Sequence, residues 1–493
     1  MNYAELGAFI LYFLIVVGIG VWMFFKTRGG DEKDYFLGGR KMGSWVAALS
    51  ASASDMSAWL LMGLPGSILA YGMGKVWIAI GLLIGTFLNW QFTAPRLRRF
   101  SKAANDSITI PQYLTNRFKS EHRLLQIIPA IVFLVCYAVY AASSFKACGM
   151  LFNSVLGIDY EVATAVAAGI ILLYTFLGGF AAVCWTDFIQ GMLMLAALLI
   201  TPIVALGAMD ANAAFGTVQV AENYWNLIPG GKLDWNGIST IISGLAWGLG
   251  YFGMPHILVR FMSIKEQKMV KKSKWIAVIW TTLGLCAAVA VALVGRIYLS
   301  DLPADQSSLV FINMVRSLFP AFLAGILLSA ILAASMSTAD SQLLVSASAF
   351  TSDVYKPIFR KKAGNKEMLW VGRGVVALIT VVAFLIAVNP NSGDIMDLVE
   401  NAWAGFGSAF GPVILLSLGW KKFTAKGAVA GIIGGALTDV LWLLFLSGST
   451  GIYELAPGFI VGCICAVAGT MLSKKETRDA AEKIYTVLDA SEE

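Results

Sequence analysis

The stretch L-S-A-S-A-S-D-M-S-A-W-L-L-M-G-L-P, Leu49 to Pro65, lies inside an apolar run long enough to cross a bilayer, yet carries Asp55 in mid-run. Small hydroxyl residues surround that acid: Ser50, Ser52, Ser54 and Ser57. A carboxylate at bilayer depth costs roughly 3 kcal/mol even on lenient insertion scales, so it faces protein or water and usually has a task. A serine- and alanine-rich helix there can also open its backbone and offer carbonyl oxygens to a cation. The segment is a candidate ion or substrate site.

The chain around it suits that reading. Hydrophobic residues make up 58% and charged residues 13%, with a mean hydropathy of +0.74, far from a soluble domain. Apolar runs of about 20 residues recur from end to end, which predicts an all-α polytopic membrane protein. The first run, 4–25, has Glu5 in front and Lys26 and Arg28 behind, the reverse of a signal peptide, so it reads as a retained span. The net charge of +6 is dispersed in short loops between runs, which argues against a nucleic-acid partner. Cys136, Cys148, Cys184, Cys286, Cys463 and Cys465 all fall in apolar runs without C-x-x-C spacing, so packing is their default role. His122 and His256 are the only histidines, and no nucleophile–base pair or metal cluster appears; the chain does not read as an enzyme.

About thirteen spans are predicted. They lie near 4–25, 43–71, 75–95, 123–151, 161–182, 186–207, 237–261, 273–299, 318–350, 367–388, 397–420, 425–447 and 453–473. Basic clusters test the count. They follow span one (Lys26, Arg28, Lys33, Arg40, Lys41), span three (Arg96, Arg98, Arg99, Lys102) and span seven (Lys265, Lys268, Lys271, Lys272). They recur after spans nine (Arg360, Lys361, Lys362), eleven (Lys421, Lys422) and thirteen (Lys474, Lys475). The alternation follows the positive-inside rule and places the N-terminus outside and the C-terminus in the cytoplasm.

A second interrupted span answers the first. G-L-A-W-G-L-G-Y-F-G-M-P-H, from Gly244 to His256, sets four glycines and Pro255 in an apolar run, which loosens the helical ladder. It lies at a depth similar to that of Asp55, and each broken span opens a set of five. Interrupted helices at matching positions of two halves point to a transport site at an inverted-repeat interface. The predicted division is an extra helix and cytoplasmic loop (1–42), a first repeat (43–207), an outer loop (208–236) and a second repeat (237–420). Two further helices (421–473) and a solvated cytoplasmic tail (474–493) complete it.

In the ninth span, I-L-A-A-S-M-S-T-A-D-S-Q, residues Ala334, Ser337, Thr338 and Ser341 share one helical face, with Asp340 close to it. Such a face serves either close helix packing or ligation of a hard cation, and Asp340 favours ligation. Asp187 has two readings as well, a cation-path acid or an N-cap with Thr186. Tyr140, Trp247, Tyr251 and Phe252 can line an apolar pocket beside the second break.

At these residues the chain resembles the sodium/solute symporter family over essentially its full length. The resemblance runs through L-G-G-R (37–40), A-S-D-M-S-A-W-L-L-M-G-L-P-G (53–66) and I-T-I-P-Q-Y-L-T-N-R-F (108–118). It continues in G-G-F-A-A-V-C-W-T-D (178–187), A-W-G-L-G-Y-F-G-M-P-H-I-L-V-R-F-M (246–262) and A-A-S-M-S-T (333–338). The strings 53–66 and 246–262 look like the proline-transporting branch.

The resemblance implies a five-plus-five inverted-repeat (LeuT-type) core and sodium-coupled uptake of L-proline by alternating access. The implied setting is a bacterial cytoplasmic membrane, with sodium, L-proline and lipid as partners and no obligate protein partner. It places sodium on the carbonyls of Ala53, Met56 and Ala334 and the hydroxyls of Ser337 and Thr338. Proline would lie near Ser57, Ala58, Tyr140, Trp247, Tyr251 and Pro255, with Ala58 standing where the family has glycine. Asp55 and Arg40 match positions for ion coupling and inner-side gating. Asp187, Ser337, Asp340 and Ser341 fall on a second cation site of some members, where two acids need a cation or proton between them. The alternatives are a symporter of the same family for sialic acid, a sugar acid or pantothenate, and, from another class, a channel.

Overall fold

The computed structural model describes residues 2–27, 32–120, 123–177, 179–209, 220 and 222–490, and among them every regular element is helical. His122, Arg28, Gly178 and most of the 208–220 stretch lie outside the described residues.

The helices, in chain order, begin with α1 (Tyr3–Thr27), α2 (Ser44–Asp55), α3 (Gly63–Tyr71) and α4 (Val76–Leu88). A π-helical turn, Asn89–Thr93, carries α4 on into Ala94–Ala103. Next come α5 (Ile110–Phe118), α6 (Leu124–Leu156), α7 (Tyr160–Leu177) and α8 (Phe180–Ala208). The second half has α9 (Trp235–Gly250), α10 (Pro255–Ser263), α11 (Met269–Tyr298), α12 (Val310–Leu318) and α13 (Ala321–Ser348). It ends with α14 (Asn365–Val388), α15 (Ile395–Gly419), α16 (Ala425–Phe445), α17 (Leu455–Met471) and α18 (Lys475–Ala490).

Among the described residues nine continuous helical stretches are long and apolar enough to cross a bilayer: α1, α4 with its continuation (Met73–Ala103), α6, α8, α11, α13 with its continuation (Ala321–Phe359), α14, α15 and α16. The pair α9–α10 is long and apolar enough only when taken together, and it is bent by 40° at its break. α17 and α18 meet at 111°, and α18 is rich in charge, so the pair is not one straight crossing. Burial sorts the layers. In α13 78% of the apolar window is buried and in α15 83%, against 33% in α1 and 28% in α16. The first two form the centre; the others carry exposed Leu14, Leu437, Leu441 and Leu444 on a face suited to lipid.

Both predicted breaks are present, and local chemistry explains each. α2 stops at Met56, whose backbone (φ −86°, ψ 78°) leaves the helical region. Ser57 then accepts from the Trp59 amide and starts a short 3₁₀ turn, Ala58–Leu60, before α3 begins. α9 ends at Gly250, and Pro255, lacking an N–H, restarts the chain at the first position of α10. Glycine allows the two halves to touch. A Cβ on Gly81 would lie 2.4 Å from the Gly244 carbonyl oxygen, and one on Gly85 2.3 Å from that of Gly248. α4 and α9 are thus in backbone contact.

One expectation changes. Within the expected solvated tail, α18 (Lys475–Ala490) is a docked helix, because Tyr485 and Leu488 are buried. Tyr485 packs edge-on against Phe100 and donates to the Leu418 carbonyl at 2.9 Å, and Arg117 lies 4.9 Å from its ring. In the long loop, Tyr224 is buried, donates to the Ile68 and Leu69 carbonyls at 3.0 Å, and offers its own carbonyl to the Met73 amide.

Candidate functional site

The break after α2 gathers donors on one oxygen. The Asp55 main-chain carbonyl accepts from the Ser57 amide (3.1 Å), the Trp59 indole (3.2 Å) and the Tyr140 hydroxyl (3.1 Å). The Asp55 carboxylate reaches the other break, where Oδ2 accepts from the Tyr251 hydroxyl at 2.6 Å. Its Oδ1 is buried without a partner among the described residues. Asp55 therefore joins the two interruptions directly, across 196 positions of sequence.

Opposite it, α13 presents the hydroxyl face read from the sequence. Ser337 donates to the Ala53 carbonyl at 2.9 Å and the Ala334 carbonyl at 3.1 Å, so these three residues meet. Thr338 Oγ1, on the neighbouring residue, is buried and unpartnered among the described residues, an oxygen with unused capacity. Ala53, Met56, Ala334, Ser337 and Thr338 are all fully buried. Neutral oxygens held this way suit a hard monovalent cation.

The six residues expected to contact a solute are brought to one region. Trp247 is buried in a stack with Trp403 (6.3 Å, 27°) and Tyr453 (5.3 Å, 28°), and Trp59 lies 6.5 Å away. Tyr251 meets Trp403 edge-on, while Ser57, Ala58 and Tyr140 are held by the α2 break and Pro255 opens α10. Beyond Trp247 is a cavity of about 200 Å³ lined by Lys75, Thr240, Ser243, Met396, Glu400 and Tyr453. Asn89, from the π turn of α4, donates to the Tyr251 carbonyl at 2.9 Å and so fixes the second break from outside it.

Asp187, Asp340 and Ser341 also converge, on a residue that the sequence analysis left unassigned. Arg260 of α10, fully buried, donates to Asp187 Oδ2 at 3.1 Å and to the Ser341 hydroxyl at 2.5 Å. Ser341 lies 3.4 Å from Asp340 Oδ1, and Ser50 donates to Asp187 Oδ2 at 2.7 Å. Asp187 lies inside α8 rather than at its N-cap, which is Gly179. The signal for Arg260 was the one that singled out Asp55, a full charge in an apolar run. Trp403 and Tyr453 had no such signal, since aromatics in apolar runs do not declare their direction.

Arg40 ties three distant segments together. It donates to Asp106 Oδ1 (2.7 Å), the Ser101 hydroxyl (3.1 Å), and the carbonyls of Met262 (2.5 Å) and Ser107 (2.7 Å). Lys33 pairs with the same Asp106, and Arg98 donates to the Ile264 and Lys265 carbonyls. Met42 and Ile264 form a backbone bridge across the seam. Burial lowers the Arg40 pKa to about 10, against the pull of Asp106. At Asp106 burial pushes upward, but Lys33 and Arg40 outweigh it and hold the carboxyl below its ordinary value. Gly38, Gly39 and Arg40 all take left-handed backbone, as do Asn105 and Asp106 opposite.

Comparison with known proteins agrees with this geometry. The family model described as "Sodium:solute symporter family" matches residues 35–435. The chain is 43% identical over 486 residues to the sodium/proline symporter of Escherichia coli (strain K12), covering 97% of this chain and 95% of that protein. It is likewise 43% identical over 484 residues to the osmoregulated proline transporter OpuE of Bacillus subtilis (strain 168), covering 97% and 96%. Among solved structures, a Na+-coupled sialic acid symporter in a substrate-bound outward-open state superposes with a TM-score of 0.80 at 20% identity, covering 96% of this chain and 98% of that one. MhsT in complex with L-phenylalanine gives 0.55 at 14% identity, covering 87% and 97%. The architecture is thus that of the LeuT-type transporters, and the chain belongs to the sodium:solute symporter family.

Proposed function

We propose that this protein takes up L-proline together with sodium by alternating access. The observation that carries the reading is the Asp55–Tyr251 bond, which joins two broken helices in a chain 42–43% identical over nearly its full length to relatives named for proline transport, two of them as sodium/proline symporters. Sodium sits on the carbonyls of Ala53, Met56 and Ala334 and the hydroxyls of Ser337 and Thr338. Proline lies beside Ser57, Ala58, Tyr140, Trp247, Tyr251 and Pro255. Its carboxylate takes backbone N–H groups freed at a half-helix start, its ammonium takes carbonyls or hydroxyls, and the aromatic walls cover the ring.

Sodium stitches α2 to α13 and so fixes the backbone that holds the solute; by reciprocity the solute strengthens sodium binding equally. Asp55 attracts sodium and holds the break open, and Arg40 with Asp106 closes the cytoplasmic side. Counting α2–α3, α7 and α17 as crossings gives the thirteen spans predicted from sequence, in two inverted sets of five, 43–207 and 237–420. The basic loops place the N-terminus outside and the C-terminus inside a bacterial cytoplasmic membrane. Asp187, Ser337, Asp340 and Ser341 form a proposed second cation site. There Arg260 supplies one positive charge against two acids, and a sodium or proton supplies the other.

The test is binding of labelled L-proline to the purified protein with and without sodium, in competition with sialic acid, a sugar acid and pantothenate. Saturable binding that needs sodium and yields only to L-proline is expected. Binding indifferent to sodium, or displaced by another member of the panel at lower concentration, rejects the reading.

A further inference from the structure

Arg260 is hydrogen-bonded to Asp187 and Ser341 of the proposed second cation site, and its guanidinium is also bonded one helical turn from each set of residues proposed to hold the first sodium. Its Nε donates at 3.0 Å to Ser50, three residues before Ala53 on α2. Its Nη2 donates at 2.5 Å to Ser341, three residues after Thr338 on α13. The same nitrogen reaches Asp187 Oδ2 of α8 at 3.1 Å, and that oxygen also accepts from Ser50, closing a ring of three groups. The remaining nitrogen, Nη1, donates at 2.7 Å to the His256 carbonyl, in the first turn of α10 beside Pro255. The guanidinium lies 5.3 Å from the Phe180 ring, and the whole side chain is excluded from solvent.

From this geometry we infer that Arg260 is a positioning residue that couples sodium binding to the solute site. It rests on the functional reading above. A planar fork of five N–H donors fixes directions, where a lysine ammonium would supply only a point charge. Here the fork sets the spacing of α2 and α13, the two helices whose oxygens hold sodium, and ties that spacing to the start of α10. Any motion that separates α2 from α13 breaks the Arg260 bonds and scatters the sodium oxygens together. Sodium, by holding those helices at one distance, holds Arg260 and through it the second break. The coupling path is thus a set of hydrogen bonds with two discrete arrangements, made or broken.

The experiment uses the full-length protein in lipid nanodiscs, with labelled L-proline binding measured across a sodium titration. Arg260→Lys keeps the charge and loses the fork, whereas Ser50→Ala removes one hydroxyl of the ring and leaves the Arg260–Asp187 pair in place. Both should raise the sodium concentration for half-maximal proline binding, Arg260→Lys by roughly tenfold and Ser50→Ala by less, while the proline affinity at saturating sodium moves less than about twofold. A role confined to stability would lower the melting temperature of both variants and leave their sodium requirement at the wild-type value; that result overturns the inference. Equal loss of proline affinity at every sodium concentration overturns it too. Wild-type protein that needs no sodium to bind proline would reject the functional reading instead, so the two failures are distinct.

Discussion

The main-chain oxygen of Asp55 accepts three donors at once, an unusual load for a carbonyl in the middle of a span. Its side chain meanwhile bonds Tyr251, so the costly residue organises the break and leaves direct ligation to neutral oxygens nearby. The Ser337 and Thr338 hydroxyls are the oxygens proposed for that task on α13. Ser337→Ala with Thr338→Ala should therefore raise the sodium concentration for half-maximal uptake by about two orders of magnitude, as expected when two buried ligand contacts of ~1.5 kcal/mol are lost. An unchanged sodium requirement in transport assays would remove these residues from the site. Asp55, Asp187 and Asp340 were legible in the sequence because a carboxylate in an apolar run is conspicuous. Arg260 was equally conspicuous, and its meaning appeared only when α2, α8 and α13 were seen to surround it. Trp403 and Tyr453, which stack on Trp247, were not legible, because nothing in an apolar run says which ring faces which.

Among the elements, the broken helices were readable from Gly and Pro placement, whereas the π turn Asn89–Thr93 was not, since no residue type marks a π turn. It aims Asn89 at the Tyr251 carbonyl. α18 was also hidden, because its alternating charges resemble a solvated end. Its surface pairs, Arg99–Asp489 and Lys422–Glu482, are each worth only ~0–1 kcal/mol. The anchor is Tyr485, whose ring lies on Phe100, the neighbour of the Ser101 that accepts from Arg40. Ending the chain after Ser473 should thus loosen the Arg40 seam. A cysteine placed at Ser101 should react with a hydrophilic maleimide roughly fivefold faster in the shortened protein, the factor corresponding to one lost hydrogen bond of ~1 kcal/mol. Equal rates in the full and shortened chains would show that α18 does not restrain this end.

Over the whole molecule, the charge of the cargo sets the size of the gradient. A potential of 100 mV contributes ~2.3 kcal/mol per charge and a tenfold sodium gradient ~1.4, so one sodium supports roughly a 500-fold proline gradient. A second cation at Asp187 and Asp340 would support far more. Paired sodium and proline fluxes decide between them: a ratio of two that falls to one in Asp340→Ala is the expected result for a second sodium. A strict one-to-one ratio in both proteins would exclude it. Fold class and the hydroxyl face of α13 followed from the sequence because bilayer cost and helical period are local properties. The Arg40 seam did not, since it joins Arg40, Asp106 and Met262, segments far apart in the chain. The glycine contacts between α4 and α9 have a mechanical meaning. With Gly85 against Gly248, one residue from Trp247, no side chain lies between the two backbones to absorb a displacement. α4 therefore works as a push-rod. Displacing the α9 break would displace α4 with it and, through the Asn89–Thr93 turn, the Ala94–Ala103 helix that carries Arg98 and Ser101, so the solute side and the Arg40 seam share one stiff connection.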